Sequence, residues 1–168
     1  MKKIRLRAME PEDLELLYRI ENDKRLWDLG ITNVPYSRYT LHDFIANASG
    51  DIYTDKQVRL MIETDDGEVV GIADLVNFDA KNCRSEIGIV IECQHRRKGY
   101  ALQALEQMAD YAKRVLHLHQ LYAIVATENH ASSQLFSKAG YTLKAQLPDW
   151  LFDGQNYHGA ILMQKILN

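Results

Sequence analysis

The sequence predicts an α/β fold, a mixed and mostly antiparallel central sheet flanked by helices, built as one domain over residues 1–168. Three observations carry this. Short runs rich in β-branched residues, too short for ordinary helices, alternate with segments of helical period. Ile87-Gly88-Ile89-Val90-Ile91 passes through a basic, Gly-containing turn into a long amphipathic stretch, a strand handed directly to a helix. No linker, repeat or low-complexity segment interrupts the chain, and 168 residues bury a core without disulfides or metals.

The elements follow in order. Ile4 to Arg7 alternates as a first strand, and Pro11-Glu12-Asp13 opens a helix through Leu14, Leu17 and Ile20 that closes at Asn22-Asp23. Trp27 to Tyr39 is irregular, with Gly30 and Pro35, and Thr40 is the expected cap of a short helix carrying Leu41, Phe44 and Ile45. Val58 to Glu63 and Val69 to Val76 are strands joined by Asp65-Asp66-Gly67-Glu68, a hairpin turn signal. After a turn from Asp79 to Arg84 comes the strand around Ile87. Ala101, Leu105, Met108, Ala112 and Val115 then mark the buried stripe of the long helix. Leu121 to Ala126 is a further strand, Asn129 to Phe136 begins a short helix stopped by Gly140, and strands over Tyr141 to Ala145 and Tyr157 to Ile166 turn at Asp153-Gly154-Gln155.

Composition excludes several functions. A hydrophobic share of 46% with 26% charged residues describes an ordinary folded domain, not a disordered segment. A formal charge of −3 argues against sequence-independent nucleic-acid binding, which needs a broad basic face. No apolar run reaches membrane-spanning length and no basic start precedes an apolar stretch, so the expected location is the cytoplasm and no membrane partner is expected. Cys83 and Cys93 flank one strand at opposite ends and read as structural thiols. The six histidines, His117 and His119 among them, lack zinc spacing, so no metal is expected.

The chemistry concentrates at Glu92-Cys93-Gln94-His95-Arg96-Arg97-Lys98-Gly99-Tyr100-Ala101. A helix start offers backbone N–H groups and the positive end of its dipole, so an anion over residues 97 to 101 meets donors that need no side chain. Gly99 permits close approach, and Arg96, Arg97 and Lys98 add charge. The same residues also read as a basic, solvated helix cap.

Arg96-x-x-Gly99-x-Ala101 resembles the Gln/Arg-x-x-Gly-x-Gly/Ala signature of the GNAT superfamily of acetyl-CoA-dependent N-acetyltransferases, in which it holds the cofactor's pyrophosphate. Asn129-x-x-Ser132-x-x-Leu135-Phe136-x-x-x-Gly140-Tyr141 is similar to the second signature, which flanks the pantetheine arm. The likeness covers the whole chain and is greatest to the spermidine and ribosomal-protein N-terminal acetyltransferase branches. It implies transfer from acetyl-CoA, without a metal, to a primary amine, either a small molecule such as a polyamine or a peptide N-terminus, by direct transfer in a ternary complex. Members of the family often pair through sheet edges, which leaves a homo-oligomer open, but the sequence does not give the oligomeric state. The alternative is a degenerate domain that binds CoA or an acyl-CoA as a regulatory module.

The resemblance assigns Ile89, Val90, Ile91, Arg96, Arg97, Lys98, Gly99, Tyr100, Ala101, Asn129, Ser132 and Phe136 to the cofactor, with a backbone N–H of Val90 or Ile91 facing the developing oxyanion. An attacking amine must be neutral, and Glu86 is the implied general base, with Asp74 a second acid in the acceptor cleft. Read from the residues alone, Glu86 is equally a salt-bridged strand-end acid and Asp74 a solvent-face residue. Where the family has a Tyr to protonate the departing thiolate, this chain has Phe136, and Tyr122, Tyr141 or bound water are its possible substitutes. Trp27, Tyr36 and Tyr39 are candidates for an acceptor wall, or equally a lid over the core. Thr32-Asn33-Val34 stands where the spermidine branch has acidic residues, which counts against a polyamine.

Overall fold

The computed structural model describes residues 2–27 and 34–168. Its strands are β1 (Ile4–Ala8), β2 (Val58–Thr64), β3 (Val69–Asp79), β4 (Arg84–Ile91), β5 (Gln120–Ala126), β6 (Thr142–Phe152) and β7 (Tyr157–Ile166). The helices are α1 (Leu14–Glu21), entered through a 3-10 turn at Pro11–Asp13, α2 (Lys24–Trp27), α3 (Arg38–Ala46), α4 (Ile52–Asp55), α5 (Tyr100–Arg114) and α6 (His130–Lys138). The strands form one sheet in the order β1-β2-β3-β4-β5-β7-β6. Every neighbouring pair is antiparallel except β4 and β5, whose link through α5 is the helical crossover that a parallel pair requires.

Side-chain alternation divides the sheet into two faces. Ala73 and Leu75 of β3, Ile87 and Ile91 of β4, Leu121, Ala123 and Val125 of β5 and Met163 of β7 pack with Ala104, Leu105, Met108 and Ala112 of α5. On the opposite face Met61 and Ile72 pack with Leu16, Leu17 and Ile20 of α1 and Leu41 of α3. At Gly71 a Cβ would lie 2.2 Å from the Val90 carbonyl oxygen, so only glycine lets β3 close against the end of β4.

Three expectations need correction, and two short helices were not anticipated. Ser37, not Thr40, caps α3: its Oγ accepts the Thr40 N–H at 3.0 Å. Val115 lies beyond the end of α5 and is 60% exposed; the stripe is carried instead by Ala104, Leu105, Met108, Ala109 and Ala112. The four-residue helices α2 and α4 are too short for a period, although Asp51 caps α4 by accepting the Tyr53 N–H at 3.0 Å. β6 runs on to Phe152 instead of ending near Ala145, because it is an edge strand whose register irregularity between Leu147 and Leu151 absorbs Pro148.

Candidate active site

The parallel pairing of β4 with β5 covers three positions only: Arg84 with Gln120, Ser85 with Leu121, and Glu86 with Tyr122. Above that pair the strands part. β4 continues, held by β3 as far as Gly71–Ile91, and β5 continues, held by β7 as far as Ala126–Ala160. Residues 87–91 and 123–126 therefore face one another without strand partners across a V-shaped opening, which leaves unpaired backbone groups along its walls.

The basic turn lies beyond the upper end of β4. Arg97 (φ 61°) and Gly99 (φ 82°) both adopt left-handed backbone, a geometry that gathers N–H groups around an anion. Gly99 is the N-cap of α5, and no side chain caps that end, so the first-turn N–H groups of a 15-residue helix stay open. Arg97 and Lys98 are exposed beside it. Arg96 donates from Nε to the Ile91 carbonyl at 3.0 Å, staple enough to hold the turn against β4. Tyr100 is 6% exposed and points its ring into the core, so only its backbone is offered to a ligand, while Ala101 is half-buried. The residues fit a diphosphate.

Ile89 packs toward the α5 core and Val90 toward the α1 core, so these residues have only backbone to present to the opening, and Ile91 is buried. Across it, Asn129 caps α6 by accepting the Ser132 N–H at 3.1 Å, and Ser132 itself is half-buried. Phe136 is 4% exposed, its ring edge-on to Tyr141 with centroids 5.1 Å apart.

Below the opening, on the face shared with α1 and α3, lies a slot of about 450 Å³. Glu86 and Tyr122 stand in its floor, with Asn77 and Arg84 on one side and Trp150 and Leu147 of the β6 irregularity on the other. Asn77 Nδ2 donates to Glu86 Oε2 at 2.8 Å. Asn77 sits at φ 50° in the register break between Val76 and Asp79, a bulge that turns its amide onto the carboxylate. Burial, and next the charge of Glu86, push the Tyr122 hydroxyl above its ordinary ionisation range. A larger concavity of about 740 Å³ lies between Leu6, Arg7 and the outer side of α5, and includes neither Glu86 nor the α5 start.

The structure separates the two expected acids. Glu86 lines the slot. Asp74 is held by both forks of Arg59, Nε to Oδ1 at 2.8 Å and Nη2 to Oδ2 at 2.9 Å, and Arg59 also binds Glu21. With its oxygens committed to a guanidinium, Asp74 sets local charge and holds β2 to β3. The expected aromatic wall is also redistributed. Tyr36 packs on the α1 core, its backbone N–H donating to the Asn22 side-chain oxygen and its carbonyl accepting from Asn22 Nδ2, Tyr39 is 79% exposed on α3, and neither lines either concavity; the side chain of Trp27 and residues 28–33 lie outside the described residues. The aromatics present are Tyr122 and Trp150. Tyr122 was legible through its period-two alternation with Ile124, whereas Trp150 had no signal short of the β6 register. Both cysteines are free, and no group of three or more metal-ligating side chains occurs among the described residues.

Residues 3–142 match the family model for the acetyltransferase (GNAT) domain. Spermidine N(1)-acetyltransferase of Escherichia coli K12 is 30% identical over 164 residues, spanning 95% of this chain and 84% of that protein. Its Vibrio cholerae counterpart is 25% identical over 170 residues, spanning 99% and 96%. The crystal structure of spermidine N-acetyltransferase from Vibrio cholerae with CoA and spermine superposes at a TM-score of 0.86 and 24% identity, over 98% of this chain and 95% of that one, which establishes the shared fold. A dodecameric structure of the same Vibrio cholerae enzyme superposes at 0.82.

Proposed function

Because the chain belongs to the GNAT acetyltransferase family and so moves an acetyl group from acetyl-CoA to an amine, we propose that its acceptor is a small polyamine whose primary amine enters the slot beside Glu86. The observation that carries this is the parting of β4 from β5 directly above the Glu86–Tyr122 pair, with the uncapped start of α5 at one end and a carboxylate-floored slot at the other. Acetyl-CoA supplies the activated acyl group; the α5 start, Arg97 and Lys98 would hold its diphosphate. The amine arrives as an ammonium, since its pKa lies near ~10, and must lose a proton before it can attack. Glu86 takes that proton, held in line by Asn77. Trp150 and Tyr122 give the cationic chain aromatic faces to lie against. A backbone N–H of Val90 or Ile91 stabilises the oxygen on which charge develops.

The relatives named for spermidine support a polyamine over a peptide N-terminus. Residues 32–33, at the point where this chain departs from that branch, lie outside the described residues. Assembly of several copies belongs to the same reading, supported by the dodecameric neighbour and by the free edges of β1 and β6. So does a cytoplasmic location, since no described helix is long and apolar enough to cross a membrane.

The test is thiol release from acetyl-CoA against spermidine, spermine, simple monoamines and short peptides, with acetylated products read by mass. The expected result is fastest turnover with the polyamines. Turnover confined to peptides would overturn the acceptor class, and silence with every amine would overturn the reading altogether.

A further inference from the structure

Departure of the thiolate leaves a proton to be supplied, and α6 offers no hydroxyl for it: Phe136 stands in the signature position, buried against Tyr141. Tyr141 does not fill the gap. Its ring lies in the α5-side core with the Lys165 ammonium 5.8 Å above it, its hydroxyl is buried without a partner among the described residues, and it lines neither concavity. Tyr122 is placed differently. It is the last β5 residue paired to β4, opposite Glu86, at the apex where the strands part, and it shares the slot with that carboxylate. It is half-buried and lines the slot.

We propose that Tyr122 is the proton donor to the departing thiol, working with Glu86 as its cross-strand partner. As the amine nitrogen bonds to the acyl carbon and the C–S bond breaks, the Tyr122 O–H proton passes to sulfur. The nitrogen gives up two protons in all. The first, removed by Glu86 before attack, goes to solvent; the second, shed after attack, returns through Glu86 to the Tyr122 oxygen. The net products are an N-acetyl amine, CoA thiol and one released proton. Burial and the neighbouring Glu86 keep the phenol protonated across neutral pH, which a proton donor requires. A hydroxyl lost from α6 is thus supplied from β5, the strand that leads into that helix.

This inference rests on the slot being the acceptor site, and the two fail differently. If the slot is not the acceptor site, the wild-type protein does not acetylate polyamines. If Tyr122 is not the donor, the effects below are missing in a protein that does.

The experiment compares wild type with Tyr122→Phe in two ways. By calorimetry, wild type binds CoA more tightly than desulfo-CoA, by about fivefold for one neutral hydrogen bond to sulfur, and Tyr122→Phe brings that ratio close to one. By steady-state kinetics, Tyr122→Phe lowers kcat by about 10²-fold, removes the alkaline limb of the pH–rate profile and leaves the amine KM nearly unmoved. Phe136→Tyr in the Tyr122→Phe background returns a hydroxyl to the cleft and restores turnover, which separates a missing proton donor from a damaged slot. An unchanged CoA to desulfo-CoA ratio together with a preserved alkaline limb would overturn the proposal, as would a turnover loss that Phe136→Tyr cannot repair.

Discussion

Arg59 on β2 and Asp74 on β3 are direct cross-strand partners joined by two hydrogen bonds, at 2.8 and 2.9 Å, and their side chains are 22% and 20% exposed. Glu21 of α1 binds the same guanidinium, so one arginine ties two strands to the helix that covers them. Phe44 of α3 lies 5.7 Å beneath its charge. Replacing Asp74 with Asn removes the fork and leaves a half-buried guanidinium short of one anion. Since breaking a buried pair from one side costs about 3–5 kcal/mol and this one retains Glu21 and some solvent, Asp74→Asn is expected to lower stability by about 2–3 kcal/mol. Urea denaturation followed by circular dichroism measures it, and a midpoint equal to wild type would refute a stabilising role for the pair.

The start of α5 depends on a backbone conformation that β-branched residues resist. Gly99 has φ 82°, and an L-residue in left-handed backbone costs about 1–2 kcal/mol, more when branched at Cβ. Gly99→Val therefore strains the turn and sets a side chain over its open N–H groups, and acetyl-CoA affinity is expected to fall at least ~10-fold by calorimetry. Gly99→Asn, which tolerates the same φ, is expected to lose less. Neutralising Arg97 and Lys98 weakens binding in a salt-dependent way, because the backbone donors remain. Full affinity in a folded Gly99→Val protein would relocate the phosphate site.

At the tip of the β6–β7 hairpin, His158 Nε2 lies 2.6 Å from Asp153 Oδ2, with Glu128 at 3.5 Å from Nδ1. The bond to Asp153 raises the His158 pKa above 6.5, so its contribution is fully present below that value and is lost as pH climbs through the raised one. Backbone N–H donation from Asn156, then the bond from His158, holds Asp153 down to about 2, so its contribution is present above about 3.8 and is lost as pH falls through about 2. The hairpin tip is therefore expected to be tightest between about pH 4 and 6.5. Amide exchange at Gln155, Asn156 and Tyr157, corrected for intrinsic rates, should show maximal protection in that window; His158→Gln should abolish the loss on the alkaline side and keep the loss on the acid side, which the Asn156 and Gln155 N–H bonds to Asp153 carry.

The turn proposed to cradle the diphosphate was legible as a strand-to-helix junction because it is contiguous: strand, basic turn, glycine and helix follow one another within about fifteen residues, and each leaves a local signature. The slot was not, because its walls come from β3, β4, β5, β6 and β7 and meet only through register. Asn77 reaches Glu86 through a bulge that no periodicity announces, and Trp150 hangs from a stretch of β6 in which Pro148 masks the strand. Aromatic content drew attention to Tyr36 and Tyr39, whereas alternation along β5 turns Leu121, Ala123 and Val125 to the core and Tyr122 to the other face, and the register with β4 sets it beside Glu86. Alternation along β3 turns Asp74 away from the core side of Ala73 and Leu75, and there Arg59 holds it.

Glu86 and its support from Asn77 can be separated from a merely structural pair by the shape of a pH profile. Glu86→Gln preserves volume and can still receive the Asn77 hydrogen bond through its side-chain oxygen, but it cannot take up a proton at neutral pH. Where the acceptor amine is almost wholly protonated, near pH 7, turnover is expected to fall by about 10²-fold. As pH approaches the amine's own pKa near ~10, free amine becomes abundant and the variant should converge on wild type. Asn77→Gly tolerates φ 50° and removes only the amide that orients the carboxylate, so a uniform loss of about fivefold, the worth of one hydrogen bond, is expected across the same range. The two curves thus differ in form: one closes on wild type with rising pH and the other runs parallel to it. A Glu86→Gln curve that also runs parallel would remove Glu86 as the base and leave the amine to lose its proton to water.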